Sequence, residues 1–99
     1  MSAAEATIER NVCKFAKAAG LLVYKFVSPG QRGVPDRIFI STEGQTVYVE
    51  FKAPKGRVSP LQQMHINQLR GHKAEVRVIR TVDEGKQLVC DIKSGALFV

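Results

Sequence analysis

Three charged residues near the middle of the sequence, Asp36, Glu50 and Lys52, are of types that act together on phosphodiesters. Carboxylate oxygens are hard ligands that bind Mg²⁺ or Mn²⁺ and leave coordination positions for water and phosphate. An ammonium group beside them can steady a phosphate oxygen or the attacking water. These residue types therefore indicate metal-assisted phosphodiester hydrolysis, provided that the fold brings them together.

The segments around these residues predict two strands joined by a short turn. Asp36–Ile40 and Thr46–Lys52 are rich in β-branched and aromatic residues, and their short connection favours an antiparallel hairpin. Because side chains alternate between the two faces of a strand, Glu50 and Lys52 share one face. Pairing the strands places Asp36 at the same end of the hairpin as Glu50. The hairpin thus predicts that the three residues form one cluster.

Each of these residues also has an ordinary structural interpretation. Glu50 and Lys52 could form an exposed ion pair on an edge strand, which would contribute little to stability. Asp36 could be a turn residue that follows Pro35. Their combination at this spacing, with basic loops on both sides, favours a functional site.

The remaining segments predict five further elements around the hairpin. They are a helix Ala3–Ala19, a strand Leu21–Val27, a helix with Ser59 as N-cap that runs from Pro60 to about Arg70, a strand Glu75–Thr81, and a helix from Asp83 to about Lys93. The middle helix is predicted to bury Leu61, Met64 or His65, and Leu69. A strand–helix–strand unit places its two strands parallel. The order α-β-β-β-α-β-α therefore predicts an α/β fold with a mixed sheet flanked by helices.

Length and composition predict one domain that spans residues 1–99. No apolar run approaches the ~20 residues of a membrane span, and Met1–Glu9 lacks the pattern of a signal peptide. We therefore expect a cytoplasmic protein. In that reducing compartment, Cys13 and Cys90 are predicted to be free and buried.

The charge of the chain indicates the kind of partner. Fifteen Lys and Arg stand against nine Asp and Glu, so the net charge is +6. A basic excess on so small a surface favours a polyanion such as nucleic acid. The chain has no Trp and only 7% aromatic residues, which argues against a platform that stacks single-stranded bases.

Three short motifs make the sequence resemble a known family. Gly33–Asp36 (GVPD), Glu50–Lys52 (EFK) and Gly56–Gln62 (GRVSPLQ) are similar to the motifs of the VRR-NUC subfamily of PD-(D/E)XK nucleases. The resemblance extends from about Glu5 to Thr81. It implies a restriction-endonuclease-like core, α-β-β-β-α-β, which agrees with the predicted order. Small stand-alone members occur in phages, which would place the protein in the host cytoplasm, and the same module ends the Fanconi-associated nuclease.

The resemblance also implies roles for individual residues. Asp36 and Glu50 would hold Mg²⁺ or Mn²⁺, and the backbone carbonyl of Phe51 would add a ligand. Lys52 would be the catalytic lysine. Gln62 would orient water or a substrate phosphate.

The first helix often supplies a further acidic residue in this family, and Glu9 is the preferred candidate. Glu9 lies at the edge of the apolar stripe formed by Ile8, Val12 and Phe15. Glu5, one turn earlier, is the competing candidate. For either residue the alternative is a solvated helix face.

Basic residues in the loops that flank the cluster are candidates for contacts with nucleic acid. Arg32, Lys55 and Arg57 are predicted to bind phosphates without reading sequence, with solvated loop charge as the alternative. Ser59 could also contact a phosphate, although its primary role is predicted to be helix capping. His65 and His72 lack the spacing of a zinc site.

These features predict a Mg²⁺- or Mn²⁺-dependent DNA endonuclease that selects branched structures, four-way junctions first among them. Symmetrical cutting of two strands requires two active sites, and so small a chain holds one. We therefore predict a homodimer. One rival is a non-catalytic DNA-binding module with the same fold. The other is a nuclease that acts on flaps or on RNA.

Overall fold

The computed structural model describes residues 1–98. Three helices and four strands follow one another in the predicted order. Their bounds are α1 Ala3–Ala18, β1 Leu22–Lys25, β2 Arg37–Ile40, β3 Thr46–Phe51, α2 Pro60–Gly71, β4 Glu75–Ile79 and α3 Val82–Ser94, followed by a 3₁₀ helix Ala96–Phe98. The predicted order is confirmed, although β1 and β4 are shorter than predicted.

The four strands form one mixed sheet with the order β1-β2-β3-β4. β1 pairs with β2, and β2 with β3, in antiparallel fashion, whereas β3 and β4 are parallel. The predicted hairpin and the predicted parallel pair are therefore both confirmed. The connection through α2 supplies the crossover that a parallel pair needs.

Helices cover the two faces of this sheet unequally. α1 and α3 pack together on one face, where they enclose the main apolar core with the inward side chains of β2 and β3. Val47, Val49 and Phe51 alternate into that core and are fully buried. Gly85 of α3 lies so close to Val12 of α1 that an added Cβ would be 2.3 Å from a Val12 methyl carbon. The two helices therefore depend on a glycine at this crossing.

The predicted inward face of α2 was wrong at Leu61 and Met64, whereas burial of His65, the alternative to Met64, is confirmed and Leu69 is half-buried. Leu61 and Met64 are exposed, whereas His65 and Ile66 are buried. The inward stripe begins at Gln62, whose side chain contacts Glu50. Because a polar residue begins this stripe, the pattern of apolar residues alone pointed to the neighbouring positions.

The cysteine prediction is confirmed in one respect and wrong in another. Cys13 and Cys90 are both free, and Cys13 is buried, but Cys90 is exposed. The buried face of α3 consists of Gly85, Leu88, Val89 and Ile92, and helical spacing turns Cys90 away from it. Among the described helices, none has the length and apolarity required to cross a bilayer.

Candidate active site

Asp36 lies immediately before β2, at the end of the hairpin where β3 finishes. Arg37 is opposite Val49 in the sheet register, so Asp36 comes level with Glu50. The Oδ2 atom of Asp36 accepts a hydrogen bond of 2.8 Å from the backbone N–H of Phe51. This bond ties the carboxylate to the end of β3, as the hairpin geometry predicts.

Glu50 is the most deeply buried charged residue at this end of the hairpin, with 2% of its surface exposed. Its Oε2 atom lies 3.8 Å from Nζ of Lys52 and accepts a hydrogen bond of 3.1 Å from Nε2 of Gln62. The carboxylate, the ammonium and the amide thus meet on the face of β3 that looks toward α2. An exposed ion pair on an edge strand does not describe this arrangement, since β3 is an inner strand.

A capping box at the start of α2 holds Gln62 in place. The hydroxyl of Ser59 accepts from the N–H of Gln62, and Oε1 of Gln62 accepts from the N–H of Ser59. With Oε1 occupied in this way, the Nε2 atom is directed to Glu50. The capping role predicted for Ser59 is confirmed, and it has the additional effect of orienting Gln62.

The glycine of the GVPD segment lets the preceding loop pass close to this helix start. Gly33 has a φ of +87°, and an added Cβ would lie 3.0 Å from the Leu61 side chain and 3.1 Å from the backbone N of Gln62. Only glycine adopts this conformation and this approach at no cost. The loop therefore passes against the start of α2 shortly before the chain reaches Asp36.

The electrostatics of the two carboxylates reflect their burial. Burial and the neighbouring Asp36 raise the pKa of Glu50 to about 8, although Lys52 opposes the shift. Burial also raises the pKa of Asp36, against the effect of the Phe51 N–H. Two carboxyl groups in this position cannot both ionise easily unless a cation joins them. A divalent metal ion fits this donor set, and Asp36, Glu50 and the Phe51 carbonyl would hold it.

Glu9, the predicted third acidic residue, is buried but is engaged elsewhere. Its Oε2 atom accepts a hydrogen bond of 2.7 Å from Nε of Arg37. Within residues 1–98, no group of three or more His, Cys, Asp or Glu side chains is placed to hold a metal ion. The structure therefore does not assemble Glu9, Asp36 and Glu50 into one ligand cluster. Glu5, the competing candidate, also acts on the two carboxyl groups by raising their pKa values.

The predicted phosphate-binding residues lie in the two loops next to α2. Arg32, Lys55 and Arg57 are all exposed. Sequence reasoning did not identify Arg80, whose Nη1 atom donates to the carbonyls of Ala53 and Gly56 and so fixes the loop that carries Lys55 and Arg57. No local pattern could reveal this contact, because the partners are more than 20 residues apart.

Neither histidine belongs to the cluster of charged residues. His65 is buried on α2, where it lines a cleft with Phe26, Val34 and Leu69. His72 is the C-cap of α2, as predicted, and its Nδ1 atom lies 2.8 Å from the carbonyl of Gln68.

The chain belongs to the VRR-NUC domain family, because the sequence model of that family matches residues 5–83. It is similar to the "Putative nuclease p44" of Acyrthosiphon pisum secondary endosymbiont phage 1, with 43% identity over 58 residues. That match covers 59% of this chain and 62% of the phage protein's length.

Two solved structures have the same fold. One, described as a VRR_NUC domain, superposes with a TM-score of 0.82 and 25% identity and covers 89% of this chain and 96% of its own. The other, described as a VRR_NUC domain protein, has a TM-score of 0.75 and 14% identity and covers 93% of this chain and 89% of its own. The predicted family and fold class are confirmed.

Proposed function

We propose that this protein is a metal-dependent nuclease that hydrolyses DNA phosphodiester bonds. The observation that carries this proposal is that half-buried Asp36 and buried Glu50 lie with Lys52 and Gln62 at one end of the hairpin. Family membership and the similarity to a phage protein named as a nuclease support it. The basic net charge of +6 supports a nucleic acid as the substrate.

Each residue of the site has a role that follows from its chemistry. Asp36 and Glu50 supply the oxygens that would hold Mg²⁺ or Mn²⁺, and Glu9 or Glu5 would complete the set. A bound metal ion supplies Lewis acidity that activates water and neutralises phosphate charge. Lys52 places its ammonium 3.8 Å from Glu50, where it can stabilise the charge that develops on the phosphate. Gln62 holds the Glu50 carboxylate in position, and Arg32, Lys55, Arg57 and Ser59 would bind the substrate backbone.

Cleavage assays test this proposal directly. We expect purified protein to cut DNA in Mg²⁺ or Mn²⁺ and to lose all activity in EDTA. Four-way junction, flapped and linear DNA, with an RNA duplex alongside, distinguish the substrate classes, and we expect the junction to be cut fastest. Binding of DNA without cleavage under any metal condition would favour the non-catalytic module, and faster cutting of RNA would favour the ribonuclease.

Symmetrical cutting of a junction requires two active sites, so we propose that the protein acts as a homodimer. Its small size leaves little surface for reading a long sequence, which favours recognition of DNA shape over recognition of sequence. Light scattering at micromolar concentration is expected to give twice the chain mass of 10.9 kDa. A monomer under those conditions would contradict the symmetrical mechanism.

Calorimetry with Mn²⁺ separates the two candidates for the third acidic ligand. A ligand role for Glu9 requires its carboxylate to leave Nε of Arg37. We expect Glu9→Gln to weaken Mn²⁺ binding about 10-fold or more, and Glu5→Gln to leave it within about twofold, because losing a ligand costs more than losing a neighbouring charge. Glu43→Gln, in the exposed turn between β2 and β3, is the matched control. The opposite order of the two effects would assign the role to Glu5.

A further inference from the structure

A basic groove runs along the outer side of α1, on the face of the sheet opposite α2. It has a volume of about 330 Å³ and lies between α1 and the start of β2. Arg10, Lys14, Lys17 and Arg37 line it together with Glu9, and its remaining lining, which includes Cys13, contains no aromatic side chain. We define these five charged residues as the α1 groove.

The charge of the α1 groove is large for so small a surface. Four cations and one carboxylate leave an excess of three positive charges there, which is half of the chain's net +6. Arg37 already neutralises Glu9. Within the part of the chain that the structure describes, Arg10, Lys14 and Lys17 form no ion pair and no side-chain hydrogen bond. The groove therefore has unsatisfied capacity for anions.

The spacing of these cations suits a chain of phosphates. Positions 10, 14 and 17 lie on one side of a helix, and they extend along its axis over about 10 Å. Successive phosphates of one DNA strand advance by about 3.4 Å along the duplex axis but are farther apart along the winding strand, so a row of this length spans about two or three of them. The absence of aromatic side chains favours contact with the backbone over stacking with bases.

The position of the α1 groove separates it from the loops that carry Arg32, Lys55 and Arg57. Those loops adjoin α2, whereas α1 and α3 cover the other face of the sheet. Arg37 directly follows Asp36 in the chain and forms one wall of the groove. We call the end of the hairpin that carries Asp36 and Glu50 the catalytic edge. It lies between two basic surfaces, one on each face of the sheet.

We propose that the α1 groove binds the phosphate backbone of DNA, as a second contact surface beyond the loops next to α2. This inference rests on the proposed function, because it takes DNA as the substrate. A substrate that reaches over the catalytic edge would be held on both faces of the sheet. Each surface then contributes its own share of the salt-dependent binding free energy.

Two charge-matched double variants test this inference. Lys14→Gln with Lys17→Gln removes two positive charges from the groove, and Lys73→Gln with Lys93→Gln removes two exposed charges elsewhere. Both variants change the net charge from +6 to +4, that is, 6 − 2. They differ only in where the charge is lost, so a general electrostatic effect would act on both alike.

The measurement is the affinity for a fluorescein-labelled DNA duplex as a function of salt, in EDTA. We expect the groove variant to reduce the slope of log K against log salt by about 1.8 and to weaken binding about 10- to 100-fold at 0.1 M salt. The control pair is expected to change the slope by less than about 0.5. Thermal unfolding of both variants is expected to match the unaltered protein, because all four lysines are exposed.

Equal slopes for the two double variants, or an unaltered protein that binds no DNA, would overturn the inference. Failure of the proposed function is a different result, namely no cleavage in the presence of metal. Because binding is measured in EDTA, the two failures are distinguished by separate experiments.

Discussion

Replacing Asp36 with asparagine is expected to lower the rate of DNA cleavage in Mg²⁺ by about 10³-fold or more, because the proposed metal site would lose one of its carboxylates and with it several kcal/mol of transition-state stabilisation. The asparagine Oδ1 atom can still accept the hydrogen bond that Asp36 receives from the Phe51 N–H. The fold is therefore preserved while the charge is lost. Single-turnover kinetics on a labelled four-way junction measure the effect.

Two companion variants make this prediction specific. Asp83→Asn makes the same chemical change at an exposed position in the first turn of α3, and its cleavage rate is expected to stay within about twofold. Lys52→Ala is expected to abolish cleavage while Mn²⁺ binding by calorimetry persists, because the ammonium is not a ligand. Cleavage by Asp36→Asn at the rate of the unaltered protein would remove Asp36 from the mechanism.

Replacing Glu50 with glutamine is expected to stabilise the metal-free protein, and the gain should grow with pH. The pKa of Glu50 is about 8 in the folded protein, compared with 4.5 for an unperturbed glutamate. Because the folded state holds the proton more tightly, the associated stability is fully present below pH 4.5 and is lost as pH rises to about 8. The cost to the unaltered protein above pH 8 is on the order of 5 kcal/mol.

Urea unfolding in EDTA at pH 5, 7 and 9 measures this gain. We expect Glu50→Gln to exceed the unaltered protein by less than about 1 kcal/mol at pH 5 and by several kcal/mol at pH 9. Glu43→Gln serves as the exposed control and is expected to change stability by less than about 0.5 kcal/mol at each pH. A gain that does not vary with pH would contradict the assigned pKa shift.

The same experiment with Mn²⁺ links stability to the proposed metal site. Metal that binds only the folded protein stabilises it in proportion to the logarithm of its concentration. The unaltered protein is therefore expected to gain stability from Mn²⁺ at pH 7, and Glu50→Gln is not. Stabilisation of both proteins to the same extent would mean that Mn²⁺ binds away from Glu50.

Much of the fold follows from short stretches of sequence. Ser59 and Pro60 mark the start of α2 because capping and the fixed φ of proline act within one turn. Alternation predicts that Val47, Val49 and Phe51 face the core, since a strand has a period of two residues. The hairpin connects Asp36 to Glu50 through its register, so this part of the site was also predictable.

The partner of Glu9 was not predictable in this way. Helical spacing places Glu9 at the edge of an apolar stripe, and the residue is indeed buried. That spacing carries no information about Arg37, which lies 28 residues away on β2. Only the packing of α1 on the sheet decides which charge meets the carboxylate. The α1 groove depends on the same packing.

The sequence by itself determined the order of the elements, the hairpin, and the residue types that gather at its end. These features depend on turns, caps and periodicity, which act over a few residues. The tertiary structure alone decided that Gln62 contacts Glu50, that Arg37 engages Glu9, and that the α1 groove and the basic loops next to α2 lie on opposite faces of the sheet. Such contacts join segments far apart in the chain, and their geometry is determined only when the helices pack on the sheet.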